Sequence, residues 1–192
     1  MRILVPGLLA CALAFTTPLG GALPTEYTEH LLESIKSKPA PTELDLFLDA
    51  LGHRESGNRY NITNQYGYMG KYQFGKSTLR GLGYDISRTA FLSSPDLQEE
   101  AMLRLLLHNR DNLRYYINKY DGKKMYGVRV TESGLLAAAH LVGPASVKEF
   151  LRTGTITADR NQTSLVSYMQ AFGGYDISEY LDDKNAYTLA SL

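Results

Sequence analysis

Residues 42–58 read Thr-Glu-Leu-Asp-Leu-Phe-Leu-Asp-Ala-Leu-Gly-His-Arg-Glu-Ser-Gly-Asn. Thr42 stands where a helix N-cap is needed, and Asp45 follows at the position that closes a reciprocal capping box. Leu44, Leu48 and Leu51 then recur at i, i+4 and i+7, which predicts a helix with one apolar face. Gly57-Asn58 ends it. At about 100° per residue, Glu55 falls about 20° from Leu44, inside the apolar stripe. Asp45 and Asp49 fall about 100° and about 140° away, towards water. A carboxylate within a buried stripe is costly unless it is paired or protonated. Desolvation favours the protonated form, which is the form a general acid requires. The competing reading is a helix-end glutamate at the surface, or one paired with Arg54 or Arg59.

The stretch that follows raises the interest of Glu55. Residues 56–84 hold no Asp or Glu, but they carry Arg59, Lys71, Lys76 and Arg80. Tyr60, Tyr66, Tyr68, Tyr72 and Tyr84 offer rings that can lie against sugar faces, with hydroxyls for hydrogen bonds. Asn58, Asn61, Asn64 and Gln73 supply amides. The segment shows little periodicity, so it reads as a long functional loop or a small irregular sheet. Its local charge suits an acidic glycan such as peptidoglycan.

Helical pattern resumes at Ser94-Pro95, a cap followed by Pro at the first helical position. The helix expected from Leu97 to about Ile117 is apolar around much of its circumference over Ala101–Leu107, so it belongs inside the fold. Residues 119–130 read as a loop rich in Gly and Lys. Thr131 is placed to cap Glu132–Val142, where Gly134, Ala137, Ala138 and Ala139 permit close packing. Gly143-Pro144 breaks that helix and starts Ala145–Leu151. A last helix is expected over Thr163–Phe172, ended by Gly173-Gly174. The pattern predicts a mainly α domain over residues 42–192, with a polar insert near its front.

The chain has 192 residues, 44% hydrophobic and 21% charged, which fits a packed core. Twenty basic residues balance twenty acidic ones, without the basic excess that a dedicated nucleic-acid binder shows. A single cysteine allows neither an internal disulfide nor a cysteine-clustered zinc site. His30, His53, His108 and His140 have no short ligand spacing, so no metal or cofactor is expected.

Residues 1–22 read as a secretory signal peptide: Arg2, an apolar run of about 14 residues, then small residues ending Gly20-Gly21-Ala22. The run is short for a bilayer core of about 30 Å, and no basic stop follows it. Export with cleavage after Ala22, to the periplasm or outside, is therefore expected, with no stable membrane span. Leu8-Leu9-Ala10-Cys11 has the look of a lipoprotein box, but apolar residues continue behind it, which argues against lipidation at Cys11. Residues 23–41 read as an extension with a short helix over Thr25–Lys36, stopped by Pro39-Ala40-Pro41.

Glu55-Ser56-Gly57-Asn58, followed by Asn64, Gly67 and Gly70-Lys71-Tyr72-Gln73-Phe74, resembles the lysozyme-like superfamily, and within it the soluble lytic transglycosylase type. Ala139-His140-Leu141-Val142-Gly143 lies where that family carries a third motif, Ala-Tyr-Asn-x-Gly. His140 stands in place of the motif tyrosine, and Leu141 in place of the asparagine. The resemblance spans roughly residues 42–172, with order and spacing kept.

The resemblance implies cleavage of the β-1,4 bond between N-acetylmuramic acid and N-acetylglucosamine, with Glu55 as acid and then base. It implies that Ser56 fixes Glu55 or binds substrate, that Gln73 and Tyr72 position N-acetyl groups, and that His140 borders the cleft. Gly70 is expected to let the glycan approach the backbone. Most glycosidases use two carboxylates. Lytic transglycosylases instead let the sugar's own 6-hydroxyl attack, leaving a 1,6-anhydromuramoyl end. Two rivals stay open. A hydrolytic muramidase would recruit Asp85, Asp96, Asp121 or Asp159 into the cleft, and a non-catalytic wall-binding or secretion-system assembly protein would not cleave at all. A partner in an envelope complex is left unspecified.

Overall fold

The computed structural model describes residues 40–181. The signal peptide expected over residues 1–22, Cys11, His30 and the helix expected over Thr25–Lys36 lie outside the described residues. The chain divides into Met1–Ala40 and Pro41–Leu192, and every described helix and strand belongs to the second unit.

Helix α1 spans Glu43–Ser56 and starts on the expected capping box: Asp45 N donates to Thr42 Oγ1 at 3.1 Å, and Thr42 N donates to Asp45 Oδ2 at 2.8 Å. Leu44, Phe47, Leu48 and Leu51 are buried, and Gly57 at φ 66° turns the chain away. The insert behind it is irregular, pinned by single bridges from Met69 to Thr63 and to Phe74. Two short helices follow, α2 over Lys76–Gly81 and α3 over Arg88–Leu92. At six and five residues they are too short to leave a helical period in the sequence.

The interior is built on three helices. Helix α4 (Pro95–Tyr120) starts on a Ser94 cap with Pro at its first position. Over residues 97–112 only His108, Asp111 and Asn112 are exposed, as the apolar circumference required. Helix α5 (Glu132–Thr153) packs between α4 and α6 (Leu165–Phe172). Thr131 caps α5, and Gly143 at φ 80°, ψ 155° interrupts it just before Pro144, so two helical segments follow one another almost without a gap. The small residues of α5 let backbones meet: a Cβ at Gly134 would lie 2.8 Å from the Met169 carbonyl oxygen of α6. Leu135–Ala139 are all buried there.

The loop expected over 119–130 contains a hairpin. Strands β1 (Lys124–Met125) and β2 (Val128–Arg129) pair antiparallel, with Lys124 opposite Arg129 and Met125 opposite Val128. Tyr126 and Gly127 both have positive φ at its turn, the conformation that suits a two-residue hairpin loop. Strands of two residues carry no alternation for sequence reading to detect. The fold is mainly α-helical with this small two-stranded sheet. Among the described residues no helix is long and apolar enough to cross a membrane.

Candidate active site

Glu55 lies in the last turn of α1, and its side chain is 15% exposed. Its neighbours come from the two helices packed behind the site. Tyr168 of α6 donates its hydroxyl to Glu55 Oε1 at 2.5 Å. His140 of α5 brings Nε2 to 3.7 Å from the same oxygen, too far for a hydrogen bond. Burial pushes the Tyr168 hydroxyl well above its ordinary range, and the Glu55 charge and hydrogen bond act in the same direction, so it stays a donor. The Arg54 guanidinium lies 5.9 Å from the Tyr168 ring centroid.

Burial pulls His140 below its ordinary value, against the opposing pull of Glu55 and of the Tyr72 backbone. The neutral imidazole is therefore favoured at neutral pH. Its Nδ1 is buried with no hydrogen-bond partner among the described residues. The ring stands edge-on to Phe74, with centroids 6.2 Å apart.

Glu55, Gln73 and His140 line one cleft of about 450 Å³. Its walls come from the 64–82 segment, the middle of α4, the Gly143 break in α5, and the 159–161 loop. Gln73 holds a left-handed φ of 51° and donates Nε2 to the Gly70 carbonyl at 2.8 Å, which fixes its amide at the rim. Asn109 of α4 also borders the cleft, 1% exposed, with Nδ2 unpaired.

Three other site candidates, Ser56, Tyr72 and Gly70, stand outside the residues that line the cleft. Ser56 is buried. Its Oγ donates to the Lys71 carbonyl at 2.8 Å and accepts from Arg59 N at 2.9 Å, so it ties the end of α1 to the insert and makes no bond to Glu55. Tyr72 is 0% exposed and gives its hydroxyl to Glu99 Oε2 at 2.5 Å, behind the cleft wall. Glu99 Oε1 also accepts from Tyr60 at 2.6 Å and Lys71 Nζ at 2.8 Å, so the insert is clamped onto α4. Gly70 is buried against the Gln98 side chain, not open to the cleft.

Of the four acids that a second carboxylate could come from, Asp159 alone borders this cleft. Its Oδ1 is already engaged by Asn161 N at 3.0 Å and Thr163 N at 2.7 Å. Asp121 accepts from Glu132 N at the start of α5. Asp85 lines a different depression, and Asp96 sits exposed in the first turn of α4. No group of three His, Cys, Asp or Glu suited to a metal occurs among the described residues.

Sequence reasoning missed Tyr168. Its signal resembled that of Glu55: a polar group within the apolar stripe of Leu165, Met169 and Phe172. It also missed Arg160, a cation in the lining of the same cleft. Comparison with family models, curated proteins and solved structures gave no match to this chain.

Proposed function

We propose that this chain is a lysozyme-like domain of the soluble lytic transglycosylase type. It would cleave the β-1,4 bond between N-acetylmuramic acid and N-acetylglucosamine in peptidoglycan, in the periplasm or outside the cell. The observation that carries the reading is the isolation of Glu55. It enters the cleft with a tyrosine donor behind it, while the one other carboxylate at the cleft among the described residues, Asp159, is engaged by backbone N–H groups.

In this reading Glu55 gives its proton to the departing glycosidic oxygen, and the C1–O bond breaks with help from the substrate's N-acetyl group. Glu55, now a carboxylate stabilised by the Tyr168 hydroxyl, takes the proton of the same sugar's 6-hydroxyl. O6 then bonds to C1, the first proton leaves on the hydroxyl of the departing sugar, and the 6-hydroxyl proton restores Glu55 as the acid. An intramolecular nucleophile has a large effective concentration over water, and the cycle needs one carboxylate only. Gln73 at the rim is suited to an N-acetyl carbonyl.

Asp159 keeps the hydrolytic muramidase as the second reading, because its carboxylate does border the cleft. Digestion of purified sacculi in ¹⁸O water, with mass detection of the products, separates the two. Anhydromuropeptides without heavy label are expected. Mainly labelled reducing ends would establish hydrolysis, and intact sacculi with folded protein would move the chain to the non-catalytic binders.

Tyr168→Phe tests the neighbour that carries no sequence motif. A hydrogen bond to a charged group contributes about 1.5–3 kcal/mol. If that bond matters at the transition state, kcat should fall about 10- to 100-fold, with KM nearly held. Unchanged kcat in a folded variant would show that the bond serves packing alone.

A further inference from the structure

We propose that Arg160 forms a carboxylate-recognition subsite at the rim of the cleft, selecting glycans that carry an acidic substituent over neutral ones of the same linkage. The inference rests on the glycan reading of the cleft and adds its charge specificity.

Arg160 and Tyr66 both line the cleft, from segments far apart in sequence. The guanidinium carbon lies 5.6 Å from the Tyr66 ring centroid, so the cation rests over the ring face. Both residues are exposed, and among the described residues no hydrogen bond engages the guanidinium N–H groups. Arg160 makes no ion pair among the described residues, although Asp159 precedes it. Asp159 instead accepts from Asn161 N, Asn161 Nδ2 and Thr163 N.

Both supports of this pair are braced before any ligand arrives. On one side Ala158 bridges to Ser164, and Asp159 N donates to the Thr163 carbonyl at 2.9 Å. On the other, Asn64 Oδ1 accepts from Tyr66 N at 2.9 Å and Tyr68 N at 3.1 Å. A guanidinium without an internal partner offers two parallel donors, the geometry that matches a carboxylate. Of the charged groups in the cleft lining among the described residues, Glu55 and Asp159 are acidic, and Arg160 supplies the positive charge. An anionic substituent is therefore directed to the rim, away from the acid.

Two parts of peptidoglycan offer such a carboxylate: the lactyl group of a peptide-free N-acetylmuramic acid, and the acidic residues of a stem peptide. Calorimetric titration of the full chain as Glu55→Gln, which keeps the ligand uncleaved, distinguishes them. The probes are chitotetraose, a peptide-free glycan of alternating N-acetylglucosamine and N-acetylmuramic acid, the same glycan with stem peptides, and its carboxamide derivative. At least one carboxylate-bearing probe should bind about tenfold tighter than chitotetraose, less so at high salt. Arg160→Gln should abolish that preference and leave chitotetraose binding unchanged, and Arg160→Lys should keep only part of it. Preference for the peptide-free glycan assigns the lactyl carboxylate, and preference only for the peptide-bearing glycan assigns the stem. Arg160→Gln weakening every probe equally, or leaving the preference intact, overturns the subsite while the glycan reading stands. Failure of every probe to bind the folded chain overturns both.

Discussion

Glu55→Gln is expected to lower muropeptide release by about 10²–10⁴-fold, the usual contribution of a positioned acid–base group, with little change in thermal stability. The substitution keeps the shape of the side chain and keeps an oxygen that can accept the Tyr168 hydroxyl. It removes only the proton that must be given to the leaving oxygen and later recovered. Burial does not penalise the variant, because an amide costs less to desolvate than a carboxylate. The neighbouring His140 does not depend on a Glu55 charge for its proton, since burial already favours the neutral ring. Rates on purified sacculi and a circular-dichroism melt of the same sample are the measurements. Full activity in the folded variant would remove Glu55 from the chemistry and both glycosidase readings with it. Loss of activity together with loss of the melt would instead mean that the carboxylate holds the fold.

What could be read in the sequence was whatever depends on local spacing. The Thr42–Asp45 box, the stripe of Leu44, Leu48 and Leu51, and the apolar circumference of Ala101–Leu107 each fix an element within a few turns. Glu55 stood out because a charge broke that local rule. The partners of Glu55 were not readable in the same way. Tyr168 lies 113 residues further on, and only the packing of α6 beside α5 brings it to the carboxylate. The same limit applied to the acids. Asp85, Asp96, Asp121 and Asp159 look alike as sequence, and tertiary structure alone puts Asp159 at the cleft.

The insert illustrates a second limit. The resemblance implied substrate positioning by Tyr72, and Gly70 was expected to admit the glycan, but side-chain direction in an irregular segment follows from its backbone. Gly70 at φ 75° and Gln73 at φ 51° turn the chain so that Gln73 faces the cleft while Tyr72 faces Glu99. The aromatic and polar residues of the insert thus divide between a wall and the struts behind it, a division that period or composition does not reveal.

Gly70→Ala is expected to cost about 3–5 kcal/mol of stability, from backbone strain plus broken buried hydrogen bonds. An L-residue at φ 75° costs about 1–2 kcal/mol. The new methyl would also stand 2.6 Å from Gln98 Cδ, with Oε1 nearer still, so the amide must move. Gln98 is 0% exposed, and each end of its amide is in use. Oε1 accepts from Lys71 N at 2.8 Å, and Nε2 donates to the Phe91 carbonyl at 2.9 Å and the Tyr60 carbonyl at 3.0 Å. Displacing it leaves buried groups of three separate segments without partners, at about 1–3 kcal/mol each where no water replaces them. At about 2–4 °C per kcal/mol for a domain of this size, the melt should fall by roughly 10 °C. A double-mutant cycle isolates the cause. Gln98→Ala already forfeits those bonds and opens the space, so adding Gly70→Ala to it should cost only the backbone strain of about 1–2 kcal/mol. If Gly70 instead served the approach of a glycan, Gly70→Ala would lose activity with an unchanged melt. Equal costs of Gly70→Ala in the two backgrounds would show that the Gln98 amide is not what the glycine makes room for.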